Sequence, residues 1–126
     1  MQVSVIIPVY RQEHYVKDAI ISVLAQKHRD IEIIIVDDCS PYRYRLDVIL
    51  HTLFRGYDIR VIRPERNLGL AGARNYGIEH AMGDVILPLD ADDMLAPNAV
   101  SSLVCALEGS DAAVAYGDVL TFGDSN

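Results

Sequence analysis

Hydrophobic residues in this chain come in short dense runs, separated by stretches in which they recur every three or four positions. Val3 to Val9 is almost uninterrupted in apolar residues, the pattern of a strand covered on both faces. The period then changes, and Val16, Ala19, Ile20, Val23 and Leu24 fall along one side of a helix. Ile31 to Val36 is a second buried strand, and Leu46, Ile49, Leu50 and Leu53 trace a second amphipathic helix. Asp58 to Arg63 predicts a shorter third strand. Pro64 through Gly72 reads as a loop leading into a helix over Ala73 to Met82, which Gly83 is placed to stop. Val85 to Leu89 makes a fourth strand. Pro97 suits the first turn of a fourth helix, whose Val100, Leu103, Val104 and Leu107 turn inward, and Ala112 to Tyr116 reads as a fifth strand.

The resulting β-α-β-α-β-α-β-α-β order predicts an α/β fold: a Rossmann-like, open, twisted, mainly parallel sheet with helices on both faces. The 126 residues fit one core, with no internal repeat or linker to divide them, so residues 1–126 read as a single domain. Ligands of such sheets lie outside the carboxyl ends of the strands, near a topological switch point. The strand exits at Pro8-Val9-Tyr10, Asp37-Asp38 and Asp90-Ala91-Asp92-Asp93 are therefore where chemistry is expected.

Charge narrows the partners. A net charge of −7 and a pI near 4.8 leave no basic stripe to replace phosphate counterions, which argues against nucleic acid. No apolar run is long enough to span a bilayer and no charged leader precedes the first strand, so no transmembrane segment is expected. The chain reads as cytoplasmic, free or peripheral at the cytoplasmic membrane face. Cys39 and Cys105 form neither a metal cluster nor a disulfide framework; both are taken as reduced, with Cys105 in the core. His14, His28, His51 and His80 lack ligand spacing.

The densest chemistry is at Asp90, Asp92 and Asp93. Like charges this close repel unless a cation or a donor-rich ligand sits among them, and an Asp-X-Asp spacing lets two carboxylates converge on one hard ion. The plain alternative is a polar loop in which Asp93 caps the next turn. Tyr10, at a strand exit, offers an aromatic face to a flat heterocycle, or simply packs at the rim.

Five blocks in order, Ser4-Val5-Ile6-Ile7-Pro8-Val9-Tyr10, Glu32 through Asp38, Asn67-Leu68-Gly69, Ala73-Arg74-Asn75-Tyr76-Gly77, and Gly83-Asp84 followed by Leu89-Asp90-Ala91-Asp92-Asp93, resemble family-2 glycosyltransferases of the GT-A fold. The resemblance covers nearly the whole chain. It implies transfer of a sugar from a nucleotide diphosphate donor, a UDP-sugar above all, with inversion at the anomeric carbon and with Mg²⁺ or Mn²⁺ as cofactor. By the same resemblance Pro8 and Tyr10 form the wall against the donor base. Asp38, with Asp37 as fallback, accepts from the ring N–H of uracil. Asp90 contacts the ribose or reaches the metal through water, and Asp92 ligates the metal directly. Arg74 neutralises phosphate or holds the loop through a carboxylate; Arg66 is a weaker candidate.

Arg11 stands where the family often has Asn, and Cys39 where it often has Gly, which questions the second turn if that position needs positive φ. Family members continue well beyond this length into an acceptor-binding part that supplies the general base. That part is expected to be missing here, with Asp118 and Asp124 the remaining late candidates for the base, and the uncovered sheet edge suits a homo-oligomer. The competing reading is a non-catalytic nucleotide-sugar-binding or interaction module. A dinucleotide oxidoreductase would need a glycine fingerprint where Tyr10-Arg11-Gln12-Glu13 stands. A receiver domain would need a late lysine, and the lysines are Lys17 and Lys27.

Overall fold

All seven residues of β1, Val3–Val9, are buried, because the strand has neighbours on both edges and helices on both faces. The structure, a computed structural model, describes residues 1–117. β1 pairs in parallel with β2 (Ile31–Asp37) on one side and with β4 (Val85–Pro88) on the other, while β3 (Ile59–Ile62) pairs outside β2. The order is β3-β2-β1-β4. Helices α1 (Glu13–Leu24), α2 (Arg43–Leu53), α3 (Gly69–His80) and α4 (Ala99–Glu108) connect and cover these strands.

Alternation sorts the side chains to two cores. Val3, Val5, Ile7 and Val9 pack with Val16 and Ile20 of α1, Leu46 of α2 and Val100 of α4, whereas Ile6, Ile34 and Val36 meet Ala73 of α3 on the opposite face. Each fully buried isoleucine contributes about 1.5–3 kcal/mol. α3 lies so close to the sheet that a Cβ at Gly77 would come within 2.5 Å of Ile6 Cγ2. Gln26, 2% exposed, ties α4 to the end of α1: its amide donates to the Ser22 and Ala96 carbonyls and its oxygen accepts from Val100 N–H.

Some boundaries differ from the sequence reading. No fifth strand forms over 112–116, where Val114 is 76% and Tyr116 91% exposed; three alanines in five positions offer little to a pleated surface. α3 begins at Gly69, inside the expected loop, and ends with Ala81 in extended conformation, so Gly83 is not its stop. Gly83 is instead required by close approach, since a Cβ there would lie 2.4 Å from Ser4 Oγ and 2.9 Å from the Ser4 nitrogen. Pro97 precedes α4 by two residues. Cys105 is exposed rather than core, one position past the inward-facing Val104. Asp118 and Asp124 lie outside the described residues. Among those residues no helix is long and apolar enough to cross a membrane.

The amino ends of the strands are pinned together. Ser4 Oγ donates to Glu32 Oε1 (2.6 Å) and accepts from Gly83 N–H (2.9 Å), Met82 N–H donates to the same Glu32 oxygen (2.8 Å), and Asp84 accepts from Gln2 N–H (2.8 Å). Burial opposes ionisation of Glu32, but the Met82 amide, the Ser4 hydroxyl and the charge of Arg60 outweigh it and hold the carboxyl below the ordinary glutamate range. A depressed folded-state pKa gives stability that is present above the unfolded value, about 4.3, and is lost as pH falls through the folded one. Glu32→Gln is therefore expected to lower the unfolding midpoint at pH 7, and the gap to the parent should narrow steadily below about pH 4.3. A gap independent of pH would refute the ionic role.

Candidate functional site

The strands exit along one edge, and β1 is the switch point: α1 and α2 carry the chain outward to β2 and β3, and α3 returns it to the other side of β1 as β4. Pro8 helps open this point. Ile6 accepts from Leu89 N–H on the β4 side (2.9 Å), so two residues on, the missing N–H of Pro8 falls on that side, past the last β1–β4 pair.

Two turns at this edge hold non-glycine residues at positive φ, Arg11 (58°) and Cys39 (60°). These are the two departures from the family pattern noted above, and each costs on the order of 1–2 kcal/mol relative to ordinary backbone. Both are held from outside themselves. Arg11 N–H donates to Ser40 Oγ (3.2 Å), and the Cys39 thiol donates to the Pro64 carbonyl (3.2 Å).

Between the turns lies a cleft of about 240 Å³, lined by Pro8, Tyr10, Gln12, Asp38, Leu70 and Ala73, with Asn67 and Gly69 at its margin. Tyr10 is 43% exposed, so ring surface is available at the mouth. Asp38 is 2% exposed; its Oδ1 accepts from Leu68 N–H (2.8 Å) and its carbonyl from Asn67 Nδ2 (2.9 Å), while no described residue bonds its Oδ2. Asp37 is occupied elsewhere: Oδ1 accepts from Ser40 N–H (3.1 Å), Oδ2 from Arg63 Nε (2.9 Å), and it does not line the cleft. Arg63 also reaches Asp47 at 2.5 Å, and burial, which opposes its charge, is outweighed by these two carboxylates. Two wider, open depressions around Phe54 and Tyr57 belong to the α1–α2 surface and the amino end of β3.

On the other side of β1, past the end of β4, carboxylate oxygens of Asp90, Asp92 and Asp93 lie within 4.8 Å of one another. Burial first, then Asp92, then Asp90 push the Asp93 carboxyl above the usual aspartate range. Arg74 meets Asp90 Oδ1 at 2.6 Å, the carboxylate pairing anticipated as one of its two roles, and its Nε is buried without a partner. Arg66 is exposed. An all-oxygen set whose members repel suits a hard dication, and Asp92 and Asp93 are both exposed and free of ion pairs among the described residues. Asp38 beyond β2 and Asp90 beyond β4 flank β1, two strand spacings or about 10 Å apart.

The sequence marks Asn67 only as part of a resembling block, without a role, and gives no site role to Glu13, Ser40 or Arg63. Glu13 carried the one available signal, an acid at the start of an amphipathic helix, where its carboxylate favours the positive end of the dipole.

The family model for Glycosyl transferase family 2 matches residues 4–126. An uncharacterized glycosyltransferase of Nostoc sp. is 43% identical over 113 residues, covering 88% of this chain and 34% of that protein. A crystal structure of S. aureus TarS 1-349 in complex with UDP-GlcNAc superposes with a TM-score of 0.75 and 27% identity, over 86% of this chain and 32% of that one. A mannosyltransferase of Pyrobaculum calidifontis, in complex with GDP-Man and Mn²⁺, shares the fold at a TM-score of 0.63 and 22% identity, over 74% of this chain and 28% of that one. The chain thus spans about a third of the length of the Nostoc relative and of these two crystallised chains.

Proposed function

This chain belongs to glycosyl transferase family 2, and from that premise we propose that residues 1–126 are the donor-binding domain of an inverting sugar transferase that uses a UDP-sugar with Mg²⁺ or Mn²⁺. The observation that carries the reading is Asp38: a buried residue whose carboxylate has one oxygen committed to Leu68 and the other bonded by no described residue, in the same cleft as the partly exposed Tyr10. A uracil ring stacked on Tyr10 and Pro8 presents a ring N–H, the donor such an oxygen lacks. The nucleotide then lies across β1 toward the acids beyond β4. Asp90 orients the ribose and keeps Arg74 at hand for phosphate, and Asp92 with Asp90 would hold the cation. Bound there, a divalent ion neutralises charge on the diphosphate as it leaves. The UDP-GlcNAc complex of TarS supports the choice of uridine.

Inverting displacement also needs a carboxylate to take the acceptor hydroxyl's proton on the face opposite the leaving group. The acids of this edge serve base, ribose, cation or fold in this reading, so the base belongs to an acceptor-binding part outside them. Calorimetric titration tests the proposal: UDP is expected to bind weakly in chelator and at least about tenfold more tightly with Mn²⁺ or Mg²⁺, because the acidic edge repels a diphosphate until a cation intervenes. Absence of UDP binding with either cation would overturn it.

A further inference from the structure

We propose that Ser40 and Glu13 form a positioning clasp that sets the separation of the two cleft walls, Tyr10 on the β1 side and Asp38 on the β2 side. The wall residues are assigned by the reading above, on which the binding arm of this inference rests; the clasp itself is a matter of contacts.

Ser40 is the meeting point of three segments. Its hydroxyl donates to Glu13 Oε1 at the start of α1 and accepts from Arg11 N–H (3.2 Å) between Tyr10 and Gln12 and, more loosely, from Tyr42 N–H (3.5 Å) ahead of α2. Its own N–H donates to Asp37 (3.1 Å) at the end of β2. Both partners are out of water, Ser40 at 5% and Glu13 at 2% exposure. Burying a carboxylate this deeply is costly unless its oxygens are bonded, and the Ser40 hydroxyl supplies such a bond to Glu13 alongside the amino end of α1 and the charges of Arg11 and Arg45. Neither residue lines the cleft. They join the turns that do: Arg11 and Cys39, both at positive φ, sit one residue beyond Tyr10 and Asp38, and backbone in that region persists only when its surroundings hold it. Asp38 N–H to Val9 O, 2.9 Å, is a backbone bond that bridges the two exits directly and therefore reports their separation.

The experiment compares the parent with Ser40→Ala and Ser40→Thr in two measurements. Amide hydrogen exchange needs no ligand. In Ser40→Ala the Asp38 amide is expected to exchange about tenfold faster or more, although its own acceptor is untouched, while the Glu32 and Met82 amides at the far end of the sheet stay as they were. Ser40→Thr keeps the hydroxyl and should restore slow exchange. In calorimetry with Mn²⁺, Ser40→Ala should weaken UDP by about tenfold and leave the ratio of affinities with and without Mn²⁺ unchanged, because the cation end is not held by the clasp; Ser40→Thr should recover most of the loss. A general loosening would accelerate exchange at both ends and is not repaired by threonine, and that result overturns the proposal. Unchanged exchange at Asp38 in Ser40→Ala overturns it as well. If the parent fails to bind UDP while exchange responds as stated, the clasp stands and the uridine reading falls; if the parent binds and Ser40→Ala binds equally well, the clasp does not position the walls.

Discussion

Asp38→Ala is expected to weaken UDP binding by about 10- to 100-fold while changing cytidine diphosphate far less. A hydrogen bond to a charged, buried acceptor is worth about 1.5–3 kcal/mol, and only uracil brings the ring N–H that uses it. Part of any loss will come from Leu68, whose amide loses its acceptor with the Asp38 side chain. Asp38→Asn separates the two effects. Its amide oxygen can keep the Leu68 bond, and its NH₂ then turns a donor toward the base, so this variant should retain the fold and shift preference toward cytidine, whose ring nitrogen accepts. Competition titrations of the two diphosphates measure the ratio. Equal losses for both nucleotides in both variants would make Asp38 a structural residue.

Asp92→Asn should remove the enhancement by Mn²⁺ and Mg²⁺, a change of about tenfold or more in UDP affinity, without harming the fold. Asparagine matches aspartate in shape but is a neutral and poorer ligand for a hard dication. The side chain is exposed, so the substitution should fall within the ±0.5 kcal/mol typical of surface sites; relief of repulsion with Asp90 and Asp93 pushes the sign toward stabilisation. Thermal unfolding in chelator and calorimetry with cation measure the two halves. A variant with undiminished cation dependence would move the ligand role to Asp93 or Asp90.

The pattern of apolar runs was enough to locate four strands and four helices, because strands covered on both faces carry continuous hydrophobic sequence and α1 and α4 carry clear stripes. It failed where tertiary context overrides composition. Ala112 to Tyr116 has the apolar content of a strand, yet Val114 and Tyr116 stand in solvent. Gly69 to Gly72 has the glycines of a loop, yet lies in the first turns of α3. Gly83 looked like a helix stop and serves instead to let β4 approach Ser4. At the site, the acids beyond β2 and β4 were legible because strand exits can be read directly. The bonds that divide labour between Asp37 and Asp38 were not: Arg63 and Leu68 are 26 and 30 residues away in sequence, and no local signal announces such a pairing. Cys39 cast doubt on the second turn, yet the turn forms with Cys39 at positive φ, and the bond that holds it, from the thiol to the Pro64 carbonyl 25 residues away, has no local signal in the sequence.

The Ser4, Glu32, Gly83 and Asp84 cluster divides the molecule into a fixed end and a variable one. Register among β1, β2 and β4 is secured where these strands begin, at the end opposite the turns that follow Val9, Asp37 and Pro88. If the donor-binding proposal holds, substitutions in those turns change ligand preference without sliding one strand against the next. The residues that hold the sheet in register thus stand at the opposite end of the strands from Tyr10, Asp38 and Asp90, so each end can vary without the other.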